Sequence, residues 1–258
     1  MKRSKILITN DDGINAPGLR HLIDVMRELG DVVIIAPDKP QSGMAHAVTI
    51  QTPLRIHEIL KEPGYEEYSC NGTPVDCVKL GQKVIMKSNP DLIVSGINHG
   101  SNSSINVLYS GTMAAVIEGA MENIPSIGFS LNDYSYHADF SHTDKYILSV
   151  SKNVLEHGLP DGVCLNVNFP AVNGEAIRGV QVVRQAKALW DETFDERNDP
   201  HNRKYYWLQG EFIDKDPGTD TDQWAIQHNY VSVVPIHLDL TAHQVLPQLK
   251  QWDFSVES

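Results

Sequence analysis

Long apolar runs are missing from this chain of 258 residues, and nothing approaches the roughly 20 consecutive apolar residues of a membrane span. Met1-Lys2-Arg3-Ser4-Lys5 is basic like the start of a signal peptide, but only Ile6-Leu7-Ile8 follows before Thr9-Asn10-Asp11-Asp12. A signal sequence needs about 7 to 15 apolar residues at that place, so none is expected. Cysteine is scarce and odd in number: Cys70, Cys77 and Cys164 form no CxxC pair. That excludes a minimal disulfide scaffold and points to a reducing cytoplasm. Basic residues are also short, 21 against 33 acidic, for a net charge of −12. A surface that wraps a nucleic-acid polymer is therefore not expected. An acidic chain still binds a small phosphorylated ligand when clustered carboxylates hold a divalent cation that reverses the local field. No GxGxxG or GxxxxGK[ST] follows a strand, and the eleven histidines, His46 and His99 among them, show no HExxH spacing.

What is present is a globular balance, 41% hydrophobic and 21% charged, in a chain long enough to bury about 70% of its unfolded surface. Residues 5–9 read as a buried first strand, followed by a helix from Pro17 with Leu19, Leu22, Ile23, Met26 and Leu29 on one face and Gly30 at its end. Residues 32–36 form a second strand. Residues 47–60 alternate like an extended arm that pairs with residues 65–70 at a sheet margin, because Pro53 is poorly suited to a central strand. A helix opens at Thr73-Pro74. Leu92-Ile93-Val94 is the most apolar strand, hence central, and runs into a polar loop at residues 95–102. From Thr112, the set Met113, Val116, Ile117, Ala120, Met121 and Ile124 repeats at helical spacing. Strand 126–131, helix 142–157 and strand 163–169 complete this alternation.

Beyond Pro170, residues 179–185, 205–212 and 230–236 read as strands, with short helices at 221–228 and 242–252. The expected fold is α/β: a Rossmann-like, mostly parallel sheet with helices on both faces, plus a C-terminal hairpin and helix extension. One domain over residues 1–258 is expected, with a core at 1–178 and an extension at 179–258 engaged in subunit contacts.

In an open parallel sheet, ligands bind beyond the carboxyl ends of the strands. Asp11 and Asp12 lie just past the first strand, where two like charges repel unless a cation or proton separates them. Asp-Asp-Gly is equally a turn sequence. Ser42 adds a hydroxyl after the second strand and Asn98 an amide oxygen after the central one. Each alone reads as a loop residue; together the four form a hard-oxygen set suited to Mg²⁺, Mn²⁺ or Ca²⁺. Ser110-Gly111-Thr112 opens a helix whose N–H groups and dipole suit a phosphate, while Ser110 alone is an ordinary cap.

These stretches, Ile6-Leu7-Ile8-Thr9-Asn10-Asp11-Asp12-Gly13, Ala36-Pro37-Asp38 with Gln41-Ser42-Gly43, Asn71-Gly72-Thr73-Pro74-Val75-Asp76-Cys77-Val78, Ser95-Gly96-Ile97-Asn98 and Tyr109-Ser110-Gly111-Thr112, resemble the SurE family of survival nucleotidases. Pro217-Gly218-Thr219-Asp220-Thr221-Asp222 and Tyr230-Val231-Ser232-Val233-Val234-Pro235 are similar to that family's C-terminal signature. The resemblance implies a cytoplasmic phosphatase of nucleoside 5′-monophosphates, also acting on 3′-monophosphates and short polyphosphate. It implies one divalent cation per subunit on Asp11, Asp12, Ser42 and Asn98, and a homodimer or homotetramer. Lys39 stands where the family usually has arginine, Asn106 where aspartate is common and Asn229 where glycine is frequent.

With that, Asp11, Asp12 and Asn98 are the expected catalytic residues, and Asn98, Ser110, Gly111 and Thr112 the expected phosphate cradle. No nucleic acid and no membrane is an expected partner. The rival of another class is a Mg²⁺-binding phosphoacceptor module of receiver type, disfavoured because Leu92-Ile93-Val94 ends in Ser95-Gly96 rather than in an acceptor aspartate.

Overall fold

The structure is a computed structural model that describes residues 3–135, 137–172 and 175–255. Its strands are β1 (Ser4–Thr9), β2 (Gly30–Pro37), β3 (Ile56–Glu62), β4 (Tyr65–Cys70), β5 (Leu92–His99), β6 (Ser126–Leu131), β7 (Val163–Phe169), β8 (Gly179–Val182), β9 (Ala188–Asn198), β10 (Lys204–Asp214) and β11 (Tyr230–His237). The helices are α1 (Pro17–Arg27), α2 (Pro74–Leu80), α3 (Gly111–Met121), α4 (Asp144–His157), α5 (Asp222–Gln227) and α6 (Leu246–Leu249).

One sheet runs β3-β4-β2-β1-β5-β6-β7-β11-β8, parallel from β4 to β7 and mixed at both margins; β9 and β10 form a separate antiparallel hairpin. Period-two alternation explains the layers. Ile6 and Ile8 join Leu19, Leu22 and Met26 of α1 and Ile147, Val150 and Val154 of α4 in one core. Leu7, between them, joins Ile35, Ile93, Val78 of α2 and Ala115 of α3 in the other. Helices thus cover both faces, as expected.

From β1 the chain winds first to β2 and β4 on one side, then returns to β5 on the other, where Thr9 pairs with Ser95. The order therefore reverses between β1 and β5. A crevice opens there beyond the strand ends, the position at which α/β sheets bind ligands.

Several expectations are corrected. Gly30 does not end α1, which is closed by Glu28; it starts β2 opposite Ser4, where a Cβ would lie 2.2 Å from the Ser4 carbonyl oxygen. The polar stretch after Val94 is not loop at first but strand through His99, with a register shift between Ser95 and Asn98. Gly96 makes that irregularity possible: its φ is +128° and a Cβ would sit 2.2 Å from the Phe129 carbonyl oxygen. The arm is strand only from Ile56, and the last helix is only Leu246–Leu249. β9 was not expected at all, and β8 and β11 of the C-terminal stretch are strands of the main sheet.

The approach of α1 to β5 depends on Gly18, where an added Cβ would lie 2.1 Å from the Ile97 carbonyl oxygen and 3.2 Å from the Phe140 ring. Alanine in a helix gains up to about 1 kcal/mol over glycine, but a backbone carbonyl cannot move aside, so overpacking of about 1–3 kcal/mol decides the sign. Gly18→Ala is expected to lower the urea midpoint with an unchanged m value; a raised midpoint would show that α1 has room to shift.

Candidate active site

Asp11 is the centre of the site. Asn10 closes the turn behind it, its amide donating to the Gly13 carbonyl at 3.0 Å and its Oδ1 accepting the Gly13 N–H at 3.2 Å, with Gly13 at φ +100°. The Gln41 N–H donates to the Asp11 carbonyl at 2.7 Å, and the Ile14 N–H to the Pro37 carbonyl at 2.8 Å. These bonds tie the loop bearing Ser42 to the loop bearing both aspartates. The same loop meets the start of α3 through the Ala45 N–H, which donates to the Tyr109 carbonyl at 3.3 Å.

α3 abuts the carboxylate itself. Thr112 donates its hydroxyl to Asp11 Oδ1 at 2.5 Å and its N–H to the same side chain. Gly111 allows this contact, since a Cβ there would lie 2.7 Å from Asp11 Cβ and 2.9 Å from Oδ2. Burial, and then the neighbouring charge of Asp12, push the Asp11 carboxyl up to about 6 despite the Thr112 bonds. Burial also raises Asp12, against the His99 N–H that donates to its Oδ2 at 3.2 Å.

Asp11, Ser42, Asn98 and Ser110 line one cavity of about 500 Å³. Asp12 lines an adjoining cavity of about 410 Å³, and the two share His99 and Tyr134. Asn98 spends its amide N–H groups on the Gly100 and His99 carbonyls, at 2.7 and 3.3 Å, which leaves Oδ1 for a ligand. The donor set fits a hard divalent cation. Two crowded carboxylates have no lysine or arginine in the cavities they line, the added donors are neutral oxygens, and no group of three or more His, Cys, Asp or Glu side chains offers an alternative centre among the described residues.

The helix start is only partly the cradle that the sequence suggests. The Thr112 hydroxyl is buried and committed to Asp11, and Ser110 Oγ caps α3 by accepting the Met113 N–H at 3.0 Å. Thr112 therefore positions a carboxylate, and Ser110 is the member of the trio that reaches the cavity wall.

Sequence reasoning missed the outer wall: Tyr134, Asn102 and the β9–β10 residues Trp190, Glu192 and Leu208. Residues 205–212 announce β10 as a strand, but for β9 the one local signal is Trp190 in an acidic stretch. No lysine or arginine lines the cavity. A larger cavity of about 790 Å³, walled by apolar side chains such as Ile117, Val182 and Val234, shares only Ser110 with it. His46 of the larger cavity pairs with Glu118 at 3.1 Å, and Lys79 bonds the same carboxylate.

Comparison with known proteins follows the same contours. Residues 6–192 match the family model of Survival protein SurE. A "5'-nucleotidase SurE" of Flavobacterium psychrophilum is 55% identical over 256 residues, covering 99% of this chain and all of that one. A protein of the same name from Christiangramia forsetii is 56% identical over 256 residues, covering 98% of each. The crystal structure of the Sure protein from Aquifex aeolicus superposes with a TM-score of 0.82 at 38% identity, covering 95% of this chain and 98% of that one.

The His46 and Lys79 contacts hold the buried Glu118 carboxyl below its ordinary value. Ionised Glu118 thus stabilises the fold fully above the unfolded value, and that contribution is lost as pH falls through the lower folded value. Glu118→Gln is expected to cost about 1–2 kcal/mol at pH 7, discounted because Lys79 and His46 are both part-exposed. In urea titrations the difference from the native chain should vanish near pH 3; a cost unchanged at that pH would place the loss in packing instead.

Proposed function

This chain belongs to the SurE family, and on that premise we propose that it is a divalent-metal-dependent phosphatase releasing phosphate from nucleoside 5′-monophosphates. Hydrolysis of 3′-monophosphates and short polyphosphate is part of the same proposal. The observation that carries it is the pairing of Asp11 and Asp12 at the β1–β5 reversal, in adjoining cavities with Ser42, Asn98 and the start of α3.

Asp11, Asp12, Ser42 and Asn98 would hold the cation, which when bound neutralises phosphate oxygens and makes water a stronger acid. The chain's own residues do the rest. Thr112 fixes the Asp11 carboxylate with two donated bonds, so its orientation is set before substrate arrives. Ser110, at the positive end of α3, binds the phosphate with Asn98, and the Gly111 backbone N–H adds to that positive end. Asp11 and Asp12 also stand where an acid or base would exchange a proton with the attacking water or the leaving oxygen.

Assembly as a homodimer or homotetramer belongs to the proposal. It is supported by exposed apolar side chains of the larger cavity, Leu108, Met121, Val182 and Leu240, together with Trp207 of β10. A cytoplasmic location is likewise proposed from the free, buried Cys70, Cys77 and Cys164. Among the described residues no helix is long and apolar enough to cross a membrane. The receiver alternative finds no support: β5 (Leu92–His99) carries no carboxylate to accept a phosphoryl group.

Phosphate release from a panel of nucleoside monophosphates and polyphosphate, after chelation and with Mg²⁺, Mn²⁺ or Ca²⁺ restored, tests the reading. Activity should vanish with chelator and return with a divalent cation. Asp11→Asn and Asp12→Asn should each cost at least about a hundredfold in kcat while the thermal unfolding profile stays native-like. Full metal-supported activity in either variant would refute the assignment.

A further inference from the structure

The cavity that contains Asp11, Ser42 and Asn98 extends to side chains that the hydrolytic reading leaves without a task. Tyr134 is 71% exposed, yet its ring is laid against the chain: a Cβ on Gly100 would fall 2.3 Å from its Cε1 and 2.8 Å from its Cδ1. The same ring lines both cavities of the site. An aromatic face is thus held at the mouth with most of its area open, an arrangement that costs apolar exposure unless something covers it.

The hairpin supplies the other wall. Register pairs Trp190 with Phe212, Glu192 with Gly210 and Phe194 with Leu208, so Trp190, Glu192, Leu208 and Gly210 share one face of the ribbon. All four line the cavity. Trp190 is fixed, its indole N–H donating to Asn106 Oδ1 at 2.7 Å and its ring meeting Phe212 edge-on at 5.3 Å. Glu192 lies across Gly210, whose missing Cβ would stand 3.1 Å from the Asp191 carbonyl oxygen and 3.5 Å from Glu192 Cγ, so the glycine lets the Glu192 side chain cross the ribbon at that point. Across the described residues Glu192 has neither an ion pair nor a side-chain hydrogen bond, unlike Glu66, Glu67 and Glu118.

We propose that this outer half of the cavity is a nucleobase subsite that favours guanine, a proposal that rests on the reading of the inner half as the phosphate end. Tyr134 and Trp190 supply aromatic faces for stacking, and the unpaired Glu192 carboxylate, an acceptor only, reads the base edge. Guanine presents two adjacent donors, N1–H and the 2-amino group, which match a carboxylate bidentately. Adenine sets one amino donor beside an acceptor nitrogen, and uracil sets one N–H between two carbonyl oxygens, so either turns a lone pair toward Glu192.

The test compares kcat/KM for guanosine 5′-monophosphate, adenosine 5′-monophosphate and ribose 5-phosphate in the native chain, Tyr134→Ala and Glu192→Gln. Both substitutions are at exposed positions, and unfolding profiles check that each variant folds. The native chain should prefer the guanine nucleotide to ribose 5-phosphate, and Tyr134→Ala should shrink that ratio by about 5- to 100-fold, the size of one stacking contact. Glu192→Gln should reduce the ratio of guanine to adenine nucleotide by about tenfold. Ratios unchanged in both variants, or ribose 5-phosphate turned over as well as the nucleotides, would overturn the subsite.

Should no phosphomonoester be hydrolysed with any cation, the hydrolytic reading fails and the subsite is decided by calorimetric titration with guanosine, adenosine and ribose. Binding of guanosine over adenosine that Glu192→Gln abolishes would uphold it; absence of guanosine binding would refute it.

Discussion

The structure turns on placing two neighbouring carboxylates at the end of a buried strand. Burial and mutual repulsion both oppose their ionisation, and the Asp11 carboxyl is pushed up to about 6 by the two together. What opposes those effects is local and specific: the hydroxyl and N–H of Thr112 on Asp11, and the His99 N–H on Asp12. The amino terminus of α3 therefore serves a protein carboxylate first, and of its first residues Ser110 alone reaches the cavity wall. The close contact requires a glycine at 111 and a short hydroxyl side chain at 112, so the helix start is shaped by Asp11 rather than by capping alone.

That constraint organises the neighbouring loops. The Asp11 carbonyl holds Gln41, the Pro37 carbonyl holds Ile14, and the Tyr109 carbonyl holds Ala45, so three segments far apart in sequence are fastened by backbone bonds before any ligand is considered. Ser42 is carried in by the second segment. Asn98 arrives differently, on a strand whose register slips just after Ser95, so that its amide nitrogen folds back onto Gly100 and its oxygen is left over. Preorganisation of this kind keeps the reorganisation energy of binding low.

The inner site was legible in the sequence because each part sits just past a strand or before a helix, and such positions converge in a doubly wound sheet. Asp11-Asp12 after Ile6-Leu7-Ile8 and Ser110-Gly111-Thr112 before the Met113 to Ile124 stripe are short-range patterns. The outer wall was not legible. β9 (Ala188–Asn198) is largely exposed along both faces, so it never acquires the hydrophobic alternation by which strands are recognised. Tyr134 lies in a loop whose path is set by the Asp133 and Ser135 turn and by the His99 ring bonding the Ser135 carbonyl. Nothing in the local sequence announces either. Gly30 misled for a related reason: a glycine after a helix usually marks its end, but here the missing Cβ serves strand pairing against Ser4.

The electrostatics of the chain then make sense of its acidity. A phosphomonoester carries nearly two negative charges, and a protein cavity normally meets them with lysine or arginine. Here neither lines the cavity, while Asp11 and Glu192 do, in a chain of net charge −12. The dipole at one exposed helix start is worth only about 0.3–1 kcal/mol to a charge placed there, too little to hold a dianion beside ionised carboxylates. The proposed cation supplies that attraction, and in the same proposal the carboxylates that repel the substrate in its absence are the ones that bind it. The inner and outer acidic groups differ in this respect. In the proposed reading Asp11 and Asp12 act through the ion they gather, whereas Glu192, without an ion pair among the described residues, acts directly on hydrogen-bond donors of the uncharged end of the substrate.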